Sequence, residues 1–379
     1  MAVEAHSVPS PAPRRWRVGR RSLSWTLLAA YVAPLWSLAY GLLALAWALG
    51  ASGYPYSSLV DPDARLSMLG SVDPQAGATV LVGLSLLGAL AGAAMLGGGG
   101  RGAVRALAVG VGAVVAITFA VLVPDLRVVV AVAYTPVLLV LALVGWPAGV
   151  SLATAFPWPV VHQLILMAGG IAWVGATIRY QRLSTHACER CGRRQGTGRE
   201  REVAWAEVWG RRAVGLAVAI PLIYVATRWA WAFGVPLGMT AEALRDYTGN
   251  QRLGGVMLAS VAAAGALLTT GLALPWGEGF PTWVPVIGKR WIPPNLAIAP
   301  ASLMTVVLLS SGLSFVRGVI VGDLPFELDN WGVVGPTLLW PVWGAALGVA
   351  TLAYSYGRRG KCRTCGRGQE ASPPSSASP

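Results

Sequence analysis

The chain has 379 residues, of which 55% are apolar and only 12% charged, with a mean hydropathy of +0.59. A water-soluble domain of this length cannot bury that much apolar surface, and a disordered chain needs the opposite composition. The formal charge of +13 is gathered in a few basic stretches between apolar runs, and this leaves a polytopic membrane protein as the class.

A membrane helix needs about 20 mostly apolar residues. Eight runs meet that length, at 23–49, 77–97, 104–123, 158–179, 211–234, 253–274, 295–320 and 332–356. Residues before the first run carry Arg14, Arg15, Arg17, Arg20 and Arg21. Further basic groups sit at Arg101 and Arg105, in the central loop from Arg179 to Arg212, at Lys289 and Arg290, and from Arg358 to Arg367. All of these fall on one side if the chain crosses eight times, and the positive-inside rule makes that side cytoplasmic, with both termini inside. A ninth apolar run, 128–147, would place the arginine-rich central loop outside if it crossed, so a re-entrant or outer-face course is expected there. The first run is too long for a cleavable signal. Met1–Pro13 and the Ser/Pro-rich Ser372–Pro379 read as disordered.

The two halves share ordered anchors. Trp25, Tyr40, Trp47 and Gly50 recur as Trp209, Tyr224, Trp231 and Gly234, all displaced by one constant interval. Trp158-Pro159-Val160 recurs as Trp340-Pro341-Val342 at almost the same interval. The expectation is therefore an all-α helical bundle of two tandem, parallel four-span repeats. Its divisions are a basic arm at 1–22, repeat one at 23–180, a linker at 181–207, repeat two at 208–357, a second knuckle at 358–369 and a tail at 370–379. An even number of spans per repeat gives both copies the same orientation, unlike the inverted repeats of many transporters. Gly88 with Gly92, and Gly344 with Gly348, have the spacing that lets helix backbones approach, although glycine is frequent throughout.

Cys188-Glu-Arg-Cys191-Gly and Cys362-Arg-Thr-Cys365-Gly occupy corresponding places, each just past the last span of its half. Two C-x-x-C-Gly pairs have the form of zinc knuckles: the spacing turns both thiolates toward one ion, and the glycine permits the turn behind them. One pair supplies half of a tetrahedral site. The expectation is a structural Zn2+ held by Cys188, Cys191, Cys362 and Cys365, tying the repeats together in the cytoplasm. Unligated thiols and a redox-sensing pair are the alternatives, while disulfides are disfavoured in a reducing compartment. His186 is a spare ligand or a solvated loop residue. Arg190, Arg193, Arg194 and Arg363 are placed to keep the thiolates ionised.

Arg228 is a charge within a span, and a candidate site by default because an intramembrane charge is costly. Near the outer end of its helix, it has two ordinary fates: reaching the headgroups, or pairing with an outer acid. Tyr40 and Trp47, with Tyr224 and Trp231, form matched aromatic stripes that suit either an interfacial belt or a ligand cleft on the axis between the repeats. His162 and Gln163 suit hydrogen bonds between helices. Asp323, Glu327 and Asp329 read as a solvated acidic loop, and Glu278 has no evident partner. Nucleotide-binding loops, zinc-protease motifs and nucleophile elbows are missing, so no enzyme is expected.

Leu274-Pro275-Trp276-Gly277-Glu278-Gly279-Phe280-Pro281-Thr282-Trp283-Val284-Pro285, with Lys289-Arg290-Trp291-Ile292-Pro293 and Tyr54-Pro55-Tyr56, resembles recurring patterns in uncharacterised multi-spanning membrane proteins of high-GC actinobacteria. That resemblance implies no activity. The function expected is a plasma-membrane scaffold or sensor whose zinc module docks a cytoplasmic protein, or else a transporter or binding protein for small molecules or ions using the axis. The lipid bilayer is the one certain partner of such a chain. Nucleic acid is not expected, because orientation and anionic lipid explain the arginines.

Overall fold

The structure, a computed structural model, describes residues 24–98, 100–133, 135, 156–194, 199–279 and 291–368, and of 199–203 and 250 only the backbone. The expected disorder of both ends, the loop residues Lys289 and Arg290, and all of the 128–147 run beyond Ala133 except Thr135 lie outside these residues. The run's first residues, through Ala133, are helical.

Among the described residues, eight helices are long and apolar enough to cross a membrane. In the first half these are α1 (Trp25–Ala48), α2 (Pro74–Leu96), α3 (Gly102–Ile117, extended by a π turn, Thr118–Leu122) and α4 (Trp158–Ser184). In the second half come α5 (Arg199–Ala232), a short α6 (Ala241–Asp246), α7 (Gly249–Thr270), α8 (Pro294–Ile320), α9 (Trp331–Leu338) and α10 (Trp340–Gly357). The last predicted span is thus two helices, α9 and α10, in the stretch that carries Pro336 and Pro341. A proline inside a helix leaves a carbonyl without its N–H and breaks the run there.

Helix sides follow membrane rather than aqueous logic. α1 buries Ala29, Ala33, Ser37 and Ala44 and exposes Leu28, Leu35 and Leu42, the last three at 53%, 64% and 69%. Where lipid is as apolar as leucine, association rests on close backbone approach and on hydrogen bonds, so small and polar residues go inside. A Cβ at Gly88 would meet Ser37 Oγ at 2.7 Å, and one at Gly92 would meet Pro34, so this pair seats α2 on α1. Gly344 and Gly348 similarly face Leu309 and Thr305 of α8.

Each half is a bundle of neighbours packed antiparallel. α1 lies against α2 and α4, and α3 against α4; α5 lies against α7 and α10, and α8 against α10. The ends of α4 and α10 reach the same face of the molecule, because the cysteines that follow them meet there. We call this the knuckle face. On the opposite face, α8 docks onto the first half. Ser310 Oγ donates to Pro124 O at 3.0 Å, Ser314 Oγ donates to Leu66 O at 3.0 Å, and the Arg317 guanidinium reaches the carbonyls of Arg65 and Ser67.

Candidate metal centre and buried polar sites

The four cysteines converge. All four sulfurs lie within 4.8 Å of one another, with Cys188–Cys362 at 4.0 Å and Cys191–Cys365 at 3.6 Å. Four ligands placed tetrahedrally at a Zn–S distance of about 2.3 Å stand roughly 3.8 Å apart. The cluster therefore has the size and the chemistry of a closed tetrathiolate site, and the residues fit the ion.

The local turns explain the convergence. In the first knuckle the Cys188 N–H donates to Arg193 O at 3.1 Å and the Gly192 N–H to Cys188 O at 2.7 Å. In the second, the Cys362 N–H donates to Arg367 O and the Gly366 N–H to Cys362 O, both at 2.8 Å. Gly192 and Gly366 adopt φ of 73° and 71°, a conformation that side chains disfavour, so the glycine after each pair is a backbone requirement. The knuckles also clasp each other through a reciprocal exchange. The Arg193 guanidinium donates to Arg367 O at 2.7 Å, and the Arg367 guanidinium donates to Arg193 O at 2.8 Å. The interval between these arginines equals that between the paired cysteines, and such mutual donation is what a twofold contact produces. Sequence reading assigned Arg193 to the thiolates and Arg367 to orientation; their equal offset was the available signal for this clasp.

Two of the thiols differ in how readily they ionise. Burial pushes Cys191 up to about 12. At Cys362 burial acts the same way, but hydrogen bonds from the backbone N–H groups of Cys365 and Thr364, together with those from the Cys191 and Cys365 thiols, bring the thiol down to about 6. His186 is exposed, with a positive φ of 53°.

Arg228 is buried, and among the described residues its partners are rings, carbonyls and a hydroxyl rather than an acid. Its guanidinium lies 4.4 Å from the Tyr224 ring centroid and 4.2 Å from that of Trp231. It donates to Gly332 O at 2.7 Å, Val333 O at 2.8 Å and Thr227 Oγ1 at 3.1 Å. Carbonyls at the start of α9 thus replace the expected acid or headgroup. The reason is geometric: the two rings flank the cation from its own helix, and α9 presents carbonyl oxygens to it.

Tyr40 and Trp47 are likewise buried, as are Tyr224 and Trp231, so none of the four faces lipid as a belt residue would. Tyr40 and Trp47 enclose His162, whose Nε2 shares a 3.0 Å hydrogen bond with the Tyr40 hydroxyl. Tyr56 and Trp158 complete the enclosure, with ring centroids 5.4 Å and 5.7 Å from the imidazole. The Tyr40–Trp47 stripe therefore packs inside its own half, whereas Tyr224 belongs to a buried cluster that also holds Val128, Val129 and Met167 of the first half.

Next to His162, Gln163 donates to Asp125 Oδ2 at 2.7 Å and accepts from the Asp125 N–H at 2.9 Å. Asp125 and Asp61, both buried, grip Arg127 at 2.6 Å and 2.8 Å. This triad escaped sequence reading because its members looked like separate loop charges; only Asp125-Leu-Arg127 sits close in sequence. Glu278 does have a partner, Arg358, at 3.3 Å. Of the acidic loop, Asp323 lies 3.9 Å from Arg317, and Glu327 accepts from Asn330 at 3.2 Å. A cavity of about 370 Å³ among α7, α8 and α10, with Val129 and Ala133 of the first half and Tyr224 also in its wall, is lined almost wholly by apolar side chains.

No family model matches the chain, and comparison with curated proteins and with solved structures finds no match either. What is established is therefore what its own described residues build: an all-α protein with eight helices suited to a bilayer and a cluster of four cysteines spaced to hold a metal ion.

Proposed function

We propose that the protein is a non-enzymatic scaffold or sensor of the plasma membrane, made of two four-span repeats inserted the same way up. One structural zinc ion on Cys188, Cys191, Cys362 and Cys365 clamps the repeats in the cytoplasm, and the clamped module is the docking surface for a cytoplasmic protein. The observation that carries this reading is the meeting of four sulfurs from sequence-distant turns of the same form. A site filled by four thiolates leaves no open position for substrate, which favours a structural over a catalytic ion. Matching neighbour patterns in the two halves favour duplication: the first helix of each packs on the second and fourth, and the third on the fourth. The basic loops at the knuckle face favour a cytoplasmic location.

The deciding measurement is the metal content of purified full-length protein, wild type against Cys362→Ser. About one zinc per chain, lost in the variant, is expected; no metal in either form overturns the clamp. Membrane-impermeant thiol reagents applied to intact cells should leave all four cysteines unlabelled, and strong labelling would reverse the orientation.

A further inference from the structure

Against the cysteines lies a second cavity, of about 290 Å³, lined by six basic side chains together with Cys191, Gly360 and Cys362. Arg182, Arg190 and Arg193 line it from the first half, and Arg359, Lys361 and Arg363 from the second. None of the described residues lining it is acidic, and the nearby Glu189 carboxylate is 2.6 Å from Arg179. A zinc tetrathiolate carries about two net negative charges. Six basic side chains thus converge on one cavity, and two of the cluster's cysteines complete its wall.

Several of these cations are set in place. Arg182 donates to the carbonyls of Glu189 at 2.9 Å and Arg190 at 3.2 Å. Arg193 donates to those of Arg359 at 2.8 Å and Gly360 at 3.0 Å. Arg359 rests over the Tyr356 ring at 4.1 Å. A Cβ at Gly192 would crowd the Arg182 guanidinium, and one at Gly368 would overlap that of Arg193. Arg190, Lys361 and Arg363 are exposed at the rim, so the cavity is open to a ligand.

The charge is also one-sided. At the offset that relates the cysteines, Arg182, Arg190, Arg359, Lys361 and Arg363 correspond to Tyr356, Thr364, Thr185, Ala187 and Glu189. Arg193 alone has a basic counterpart, Arg367, and that pair makes the reciprocal clasp. The clasp joins the knuckles symmetrically, whereas the other five cations have no basic counterpart at that offset. A cavity with this many cationic walls, and no carboxylate among the described residues lining it, suits tetrahedral oxyanions through charge-assisted hydrogen bonds from guanidinium donors.

We propose that this cavity binds a phosphate-bearing anion, either a phospholipid headgroup or a free phosphate. The proposal goes beyond the clamp reading; it requires the two knuckles to be joined in this geometry but not that the ion be zinc.

The test uses purified full-length chain in phosphatidylcholine nanodiscs, with zinc measured on every sample. One arm titrates inorganic phosphate by calorimetry. The other replaces part of the lipid with phosphatidylglycerol and reads the lipid retained on the protein by mass spectrometry. Wild type is compared with the double variant Arg190→Gln/Arg363→Gln, and with Lys361→Gln in case the double variant sheds zinc. The expected result is binding in at least one arm, weakened about tenfold in the variants with zinc content unchanged. A response to phosphate alone names a soluble ligand, and a response to phosphatidylglycerol alone names a headgroup. Binding that is undetectable in wild type, or equal in wild type and variants in both arms, overturns the proposal. Phosphate binding by a wild type that holds no zinc would retain this proposal and remove the clamp.

Discussion

The halves of the chain meet at both ends of the bundle, and the two seams use different chemistry. At the knuckle face the contact is made by the same device twice: two C-x-x-C-Gly turns with matching backbone bonds, and two arginines that each cap the other's carbonyl. At the opposite face one helix, α8, supplies Ser310, Ser314 and Arg317 to backbone oxygens of the first half. Beside that contact the Asp61–Arg127–Asp125 triad anchors the first half's own loops. The knuckle seam brings four thiols together at a spacing that could hold a metal ion, the zinc of the proposed clamp. The α8 seam is made from its own donors and acceptors. On the proposed reading the knuckle seam adds an ion to its arginine clasp, whereas the α8 seam rests on direct hydrogen bonds alone, and the contrast can be broken one side at a time.

Removing the ion should have the largest effect. Structural zinc contributes ~10 kcal/mol in small zinc modules. Cys362→Ser, or a strong chelator, is expected to lower the thermal unfolding temperature in detergent markedly and to open Cys188 and Cys191 to alkylation. Since thiols must lose their protons to bind, metal retention should fall as pH is lowered. A variant that melts with the wild type would place the knuckles outside the cooperative unit.

On the other side, Arg127→Met leaves two buried carboxylates without their cation. Breaking such a pair costs about 3–5 kcal/mol. The readout is a lowered melting temperature with zinc content intact. Coupled loss of zinc would show that the two faces are not independent.

Arg228→Met tests the aromatic frames. It strands the Gly332 and Val333 carbonyls, and charged hydrogen bonds contribute about 2 kcal/mol. Destabilisation should appear as faster proteolysis or hydrogen exchange around α9, and an unchanged exchange pattern would contradict the anchoring role. Ser314→Ala removes one bond across the α8 seam and should cost about 1 kcal/mol. Glu278→Gln is expected to do least: its side chain is 55% exposed, and such ion pairs contribute under about 1 kcal/mol. A larger loss there would mean that the Arg358 contact is structural.

The aromatic frames show how one pattern is filled in two ways. Tyr40 and Trp47 enclose His162 from α4, while Tyr224 and Trp231 hold Arg228 from their own helix. The first-half position that corresponds to Arg228 is Ala44, fully buried, and its small side chain is the difference visible in the sequence. Periodicity placed the rings on one helical side. It did not say whether that side met lipid, a cleft or another helix, because all three accept aromatic residues.

Composition and spacing alone determined the class of the protein, the eight helices among the described residues that are long and apolar enough to cross a membrane, and the cysteine pairs as candidate ligands. These follow from local rules: the bilayer sets helix length, and turn geometry sets the glycine after each pair. Tertiary structure decided which polar groups share a burial site. Arg228 with the α9 carbonyls, Arg127 between Asp61 and Asp125, and Arg193 exchanging with Arg367 all join residues from separate segments. The reason is physical: a buried charge must find donors or acceptors wherever packing brings them, and backbone carbonyls, which carry no mark in the sequence, serve as readily as acids.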